Sequence, residues 1–198
     1  MQNANNRRAV STKTLTGISI LAAVVVVLTI LCNYVKFGPF SITLALAPII
    51  IGAAVYGIKA GAILGFVFSA VVAITGVMGL DGGTVLYLMS LNAPATVGII
   101  LIKGTAAGLI SGALYTAIHK KSEFAAVLTA GIACPIVNTG LFLTGMFTFF
   151  YSTLEAWTGS SGVLAIIAAM TGVNFVIELL VNIILSSTIV RIIKVVKK

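Results

Sequence analysis

Charged residues are scarce in this chain: only 8% of its 198 residues are Asp, Glu, Lys or Arg. Acidic residues are the scarcest, with four against 12 basic ones, and there is a single histidine. A soluble domain of this length needs a largely polar exterior, because small domains leave much of their surface exposed. Since 60% of the residues are hydrophobic, the composition excludes a soluble protein and predicts an integral membrane protein.

Several chemical signatures are also missing from the sequence. There is no G-x-x-x-x-G-K-[ST] phosphate loop, which excludes ATP hydrolysis by this chain. There is no zinc motif and no set of nucleophile, base and acid, so we expect no enzymatic activity, no metal and no cofactor. The two cysteines, Cys32 and Cys134, lie in apolar segments and are predicted to be inert packing residues.

Six apolar segments are long enough to be candidates for crossing a bilayer, whose hydrocarbon core needs about 20 helical residues. They are predicted at residues 14–35, 42–57, 61–79, 93–118, 124–150 and 162–193. The second is short and contains Pro48, so we expect it to tilt, bend or cross only part of the bilayer. The sequence thus predicts an all-α fold, with a basic segment at residues 1–13 and a single six-helix transmembrane domain at residues 14–198.

The basic residues are distributed unevenly between the two predicted sides of the membrane. With the N-terminus in the cytoplasm, ten basic residues lie on the inner side and only Lys36 lies on the outer side. Because cytoplasmic loops carry an excess of Lys and Arg, this pattern predicts that both termini are cytoplasmic. The net charge of +8 then reflects membrane topology, and we expect lipid rather than nucleic acid as a partner.

Three predicted spans carry one strongly polar residue at a similar depth: Lys103, Asn138 and Asn174. Counting from the outer helix ends places all three about 15–18 Å below the outer edge. A mid-membrane lysine costs about 3 kcal/mol on insertion scales, so such residues usually mark a functional site. One cation and two amides suit a small polar ligand, most simply an anion, that enters from outside. Further predicted contacts are Thr139, Phe142 and Tyr87.

Glu178 offers a second explanation for Lys103. It follows Asn174 by four residues, on the same predicted helix face, and it is the only acidic residue within a predicted span. Paired charges are the common arrangement inside membranes, so Lys103 and Glu178 are also predicted to form a structural ion pair. The two interpretations are compatible, because Glu178 could hold Lys103 while a ligand uses the remaining donors.

The outer connections and two rows of small residues each have two interpretations. The connections at 36–41, 80–92 and 151–162 contain glycines and aromatic residues, and they could either cover a cavity or serve only as connectors. The small residues recur every four positions, which allows close helix packing within the chain or docking of a partner subunit. These rows are Gly57, Gly61, Gly65, Ser69 and Ala73, and Gly104, Gly108 and Gly112.

The segment from Leu44 to Ala62, LALAPIIIGAAVYGIKAGA, combines a proline, a small apolar run, Tyr-Gly and Ala-Gly. It is similar to helices two and three of the substrate-binding S components of energy-coupling factor (ECF) vitamin transporters. The Lys103-Gly104 step followed by Gly108, the chain length, the six spans and the cytoplasmic termini add to this resemblance, which covers essentially the whole chain.

This resemblance implies a multi-pass protein of the bacterial plasma membrane that captures a vitamin from outside, under the loop between helices one and two and against helices four to six. It also implies a transmembrane coupling subunit and two cytoplasmic ATPases as partners. Pantothenate fits a lysine and two amides best, with riboflavin, pyridoxine and cobalamin as alternatives. A membrane scaffold without a transport role is the other functional hypothesis.

The resemblance also implies where the coupling subunit docks. The first helix of the family commonly has an Ala-xxx-Ala pair at this contact. Here Ala22 and Ala23 are each followed four residues later by a valine, and the nearest small pair is Ser19 and Ala23. The expected docking residues are therefore Ser19, Ala22 and Ala23.

Overall fold

The structure is a computed structural model that describes residues 12–34, 36–37, 40–41 and 44–196, with only the backbone at 36–37, 40–41 and 173–174. Its helices are α1 (Thr12–Cys32), α2 (Leu46–Tyr56), α3 (Ile58–Val77), α4 (Thr84–Ile118), α5 (Glu123–Phe149), α6 (Tyr151–Thr158) and α7 (Val163–Val196). Two short strands, β1 (Lys36–Phe37) and β2 (Phe40–Ser41), pair antiparallel between α1 and α2. The predicted helical architecture is confirmed for the described residues, and most of the basic segment 1–13 lies outside them.

Five helical segments of the described chain are long and apolar enough to cross a membrane, or up to six if the bent pair of α6 and the first part of α7 counts as one span. The second predicted span, 42–57, is reduced to α2, whose 11 residues extend about 16 Å. Pro48 lies in its first turn, where the missing N–H costs no hydrogen bond. Nearly all of α2 is buried, so this helix forms part of the interior of the bundle.

α4 begins nine residues before the predicted start of its span at residue 93, but the helix breaks close to that position. Asn92 has non-helical dihedral angles, φ −155° and ψ 89°. Its side-chain Oδ1 accepts a hydrogen bond from the backbone N–H of Ala95 at 3.1 Å. This is the arrangement of a helix N-cap, so Asn92 and Pro94 start a second helical part of α4.

The third outer connection, predicted as a loop over 151–162, contains the short helix α6. Gly159 ends this helix in the left-handed region, at φ 63°, a conformation that glycine adopts without steric strain. The axis of α6 is bent by 74° from the first part of α7. The third outer connection is therefore partly helical.

The two rows of small residues face each other across the contact between α3 and α4. A Cβ atom added at Gly61 would meet the carbonyl oxygen of Gly108, and one at Gly65 would meet the carbonyl oxygen of Gly104. Only glycine permits backbones to approach this closely. At these positions the interpretation as packing within the chain is confirmed, and the pairing fixes the position of Lys103 beside Gly104.

Two clusters of buried apolar residues stabilise the bundle. The larger one joins residues of α1 to α5 and α7, such as Val25, Ile49 and Ile193. The smaller one joins α4, α5, α6 and α7 through Leu88, Phe150 and Met170. Because residues from both clusters line one cavity, that cavity lies between them.

Candidate functional site

A cavity of about 140 Å³ lies at the end of the bundle where α1 and α3 end and where α2 and α4 begin. One water molecule needs only about 10–15 Å³ of such space, so the cavity has room for a small organic molecule. Its lining is a mixture of apolar side chains, charged groups, amides and hydroxyls from α1, α3, α4, α5 and α7, together with their connections. Such concave sites with a few polar groups are typical of ligand-binding sites.

Lys103 reaches this cavity from α4, where Thr96, Ile100 and Lys103 lie on one helix face and all three line the space. The side chain is partly buried. Its Nζ lies 4.8 Å from the ring centroid of Phe142 on α5, within the range of a cation–π interaction. The aromatic face therefore stabilises the ammonium group without using its three hydrogen-bond donors.

Glu178 lines the same cavity from α7 and is only 5% exposed. Its carboxylate acts electrostatically on Lys103. The residues predicted to form an ion pair thus share one cavity, and a direct contact between them stays a prediction. Because opposite charges inside a low-dielectric site stabilise one another, Glu178 offsets part of the cost of placing Lys103 there.

Two buried amides in the cavity have an atom without a hydrogen-bond partner in the described part of the chain. These atoms are Oδ1 of Asn138 on α5 and Nδ2 of Asn33, which follows α1. Both residues line the cavity, and their side chains are 5% and 8% exposed, respectively. Because buried polar atoms are rarely left unsatisfied, one free acceptor and one free donor in a cavity indicate a polar ligand.

Four threonine hydroxyls in the lining already donate to their own helices. In each case the acceptor is the carbonyl oxygen four residues earlier, at 2.7–2.9 Å. These residues are Thr29, Thr75, Thr96 and Thr171. Since a hydroxyl has one proton and two lone pairs, these groups offer the cavity acceptors rather than donors.

Asp81 lines the cavity from the connection before α4 and has a structural role there. Its Oδ1 accepts from the N–H of Gly83 at 3.0 Å, and its Oδ2 accepts from the N–H of Val85 at 2.7 Å. A carboxylate at a helix N-terminus also interacts favourably with the helix dipole. Asp81 therefore holds the start of α4 while keeping its negative charge at the cavity.

The predicted contact residues are placed differently by the structure. Lys103, Asn138, Thr139 and Phe142 all line the cavity. Tyr87 lies outside the described lining, and its ring packs against Trp157 of α6 with 5.8 Å between the ring centroids. The side chain of Asn174 lies outside the described residues.

The residues predicted to dock a partner lie on two sides of α1. Ser19 and Ala23 are exposed, whereas Ala22 packs against the larger apolar cluster. Docking of a partner at Ser19, Ala22 and Ala23 stays a prediction.

Asn33 was missed by the sequence analysis, as were Asp81 and the four threonines. Asn33 lies just past the end of α1, whereas the sequence signal for the site was a polar residue in the middle of a predicted span. A polar amide directly after the buried Cys32 was the available signal. This signal is informative only because the fold brings the end of α1 next to α5 at one cavity.

Comparison with known proteins assigns the chain to a family. The family model "ECF transporter, substrate-specific component" matches residues 13–192, whereas the comparison with individual curated proteins gives no match. Members of this family are transport subunits rather than enzymes, and they associate with ECF membrane and ATPase modules and a small-molecule substrate. With its apolar helices, the chain is a multi-pass protein of the bacterial plasma membrane. It belongs to the family of substrate-specific components of ECF transporters.

Proposed function

We propose that this protein captures a small water-soluble vitamin from outside the cell and holds it in the cavity around Lys103, Asn33 and Asn138. The observation that carries this proposal concerns Asn33 and Asn138, which line a cavity together with a lysine and each have a buried amide atom without a partner among the described residues. A site evolved only for stability would satisfy such atoms internally. The family supports the general role of substrate capture.

The vitamin itself is part of this proposal. Pantothenate is the candidate that the lysine and amides favoured in the sequence, and riboflavin, pyridoxine and cobalamin are the alternatives. The partial burial of Lys103, the cation–π contact with Phe142 and the apolar wall formed by Leu88, Met146 and Phe150 all suit a ligand with both polar and apolar parts.

Transport would need partners, because the chain has no nucleotide-binding loop. The proposed partners are a transmembrane coupling subunit, which docks on the exposed Ser19 and Ala23 of α1, and two cytoplasmic ATPases. In this arrangement both termini of the chain lie in the cytoplasm.

The test is to purify the protein from cells, release its bound small molecules by denaturation and identify them by mass spectrometry. We expect one vitamin in near-stoichiometric amount. A double variant, Lys103→Met with Asn138→Leu, should purify without it. Thr105→Val is the matched control, because its hydroxyl donates to Leu101 on α4 and does not line the described cavity.

The absence of any released molecule from the wild-type protein, with no binding of the four candidate vitamins to it, would contradict the proposal. The scaffold hypothesis would then be favoured.

A further inference from the structure

The charges in the cavity lining bear on the charge of the ligand. Among the described lining residues, Lys103 is the cation, and Glu178 and Asp81 are carboxylates. Both oxygens of Asp81 accept backbone hydrogen bonds, which hold the carboxylate at the start of α4. In the described lining, an anion entering the cavity would therefore meet one positive and two negative groups, and like charges at a desolvated site oppose binding.

Because Glu178 is nearby, Lys103 does not need an anionic ligand to stabilise its charge. A buried lysine requires a neighbour that offsets its charge. Glu178 and the ring of Phe142 already interact with it. The lysine is thus supplied with electrostatic partners before any ligand binds, and its N–H groups are suited to a neutral acceptor such as a carbonyl or hydroxyl oxygen.

The hydrogen-bonding groups of the lining indicate which polar atoms the ligand carries. The four threonine oxygens and Oδ1 of Asn138 are acceptors. The donors in the described lining include Nδ2 of Asn33 and Nζ of Lys103. A matching ligand therefore has O–H or N–H groups for these acceptors and at least one acceptor for these donors.

We propose that the cavity selects a ligand with no net charge, which carries hydroxyl or amide groups together with an apolar part. This inference rests on the proposed function and narrows it, because it favours neutral vitamins over free carboxylates such as pantothenate. The combined charge of the lining residues, rather than the charge of Lys103 alone, then decides which molecules bind.

The experiment compares matched pairs of probes that differ in charge, using isothermal titration calorimetry on the purified full-length protein. The pairs are panthenol and pantothenate, pyridoxine and 4-pyridoxate, and riboflavin and riboflavin 5′-phosphate. In any pair that binds, we expect the neutral member to bind at least about tenfold more tightly. Tighter binding of the anionic member would overturn the inference, and this comparison needs no variant.

A variant tests whether Glu178 causes the discrimination. Glu178→Gln keeps the size and the carbonyl acceptor but removes the charge, so it should shift the ratio of the two affinities about tenfold toward the anion. Glu155→Gln on α6 removes an acid that does not line the described cavity, and it should leave the ratio unchanged. An unchanged ratio in folded Glu178→Gln would also overturn the inference.

Failure of this inference is distinguishable from failure of the proposed function. If the molecule released from the protein is an anion at pH 7, the capture function stands and charge selection is wrong. If nothing is released and no probe binds, the capture function itself is wrong, and charge selection falls with it.

Discussion

A lysine inside a membrane bundle must be stabilised by its neighbours, and Lys103 has two of different kinds. The ring of Phe142 lies 4.8 Å from its Nζ, and the carboxylate of Glu178 acts on it from α7. The ring contributes about 0.5–2 kcal/mol, whereas removing one partner of a buried charge pair typically costs about 3–5 kcal/mol. Glu178 is therefore the partner whose loss should matter more for folding.

Exchanging the two charges separates the structural role of Lys103 from its ligand-binding role. Lys103→Met alone should lower the free energy of unfolding by about 3–5 kcal/mol, because it removes the cation predicted to pair with Glu178. The double exchange Lys103→Glu with Glu178→Lys should restore most of that stability but not ligand affinity, since the donors then lie on the wrong helix. Unfolding in denaturing detergent and calorimetry measure the two quantities. Full recovery of binding would show that the pair is purely structural.

Asn138→Leu should change stability and binding in opposite directions. Oδ1 of Asn138 has no partner in the described protein, and an unsatisfied buried acceptor costs about 1–3 kcal/mol. The ligand-free variant should therefore be at least as stable as the wild type, while ligand affinity falls by about tenfold or more. Thr144→Val, an exposed position on the same helix, should change neither quantity. A marked loss of stability in Asn138→Leu would argue that the amide is structural.

At the scale of the elements, the contact between α3 and α4 sets the position of the site. Gly61 packs on the backbone of Gly108, and Gly65 packs on the backbone of Gly104. Lys103 directly precedes Gly104. The close approach of these two helices therefore determines how far the lysine projects toward Phe142 and α7.

Gly65→Ala should disturb both folding and binding. Its Cβ would meet the carbonyl oxygen of Gly104, and backbone atoms cannot move aside as a flexible side chain does. Overpacking of this kind costs about 1–3 kcal/mol, and the shift of α4 should displace Lys103 and weaken binding. Gly98→Ala on α4 is the control, because a Cβ there meets nothing within 4 Å, and it should keep or raise stability by up to about 1 kcal/mol. Equal behaviour of the two variants would contradict this account.

The elements also show what the sequence could predict. The long apolar runs identified α1, α3, α5 and α7 to within a few residues, because helices in a bilayer must satisfy their backbone internally. The sequence did not predict the start of α4, because residues 84–92 mix polar and apolar residues. It did not predict α6 either, because Gly159, Ser160 and Ser161 are typical of a loop. Most of the proposed site was predicted from polar residues within spans. Asn33 was not, because its importance arises from the meeting of distant segments.

At the scale of the whole molecule, the proposed ligand cavity lies in a chain whose sequence has no nucleotide-binding loop. We predict that purified protein in liposomes binds its vitamin and does not accumulate it, with or without an ion gradient. Uptake should appear only when an ECF coupling subunit and its ATPases are reconstituted with it and ATP is supplied. Uptake by the chain alone, driven by an ion gradient, would identify a secondary transporter instead.

The orientation of the chain in the membrane is also a prediction, and it depends on whether the short helix α2 counts as a crossing. Cytoplasmic termini require an even number of crossings, so the short α2 and its flanking residues must count as one crossing and α7 as another.

Single cysteines at Lys121, between α4 and α5, and at Gly159, after α6, test this orientation in intact cells with a membrane-impermeant thiol reagent. Cys32 and Cys134 are buried free thiols, and replacing both with alanine removes any background. Gly159→Cys should react from outside, and Lys121→Cys should react only after lysis. The reverse pattern would place Lys103 and its cavity on the cytoplasmic side, which is incompatible with capture of a vitamin from outside.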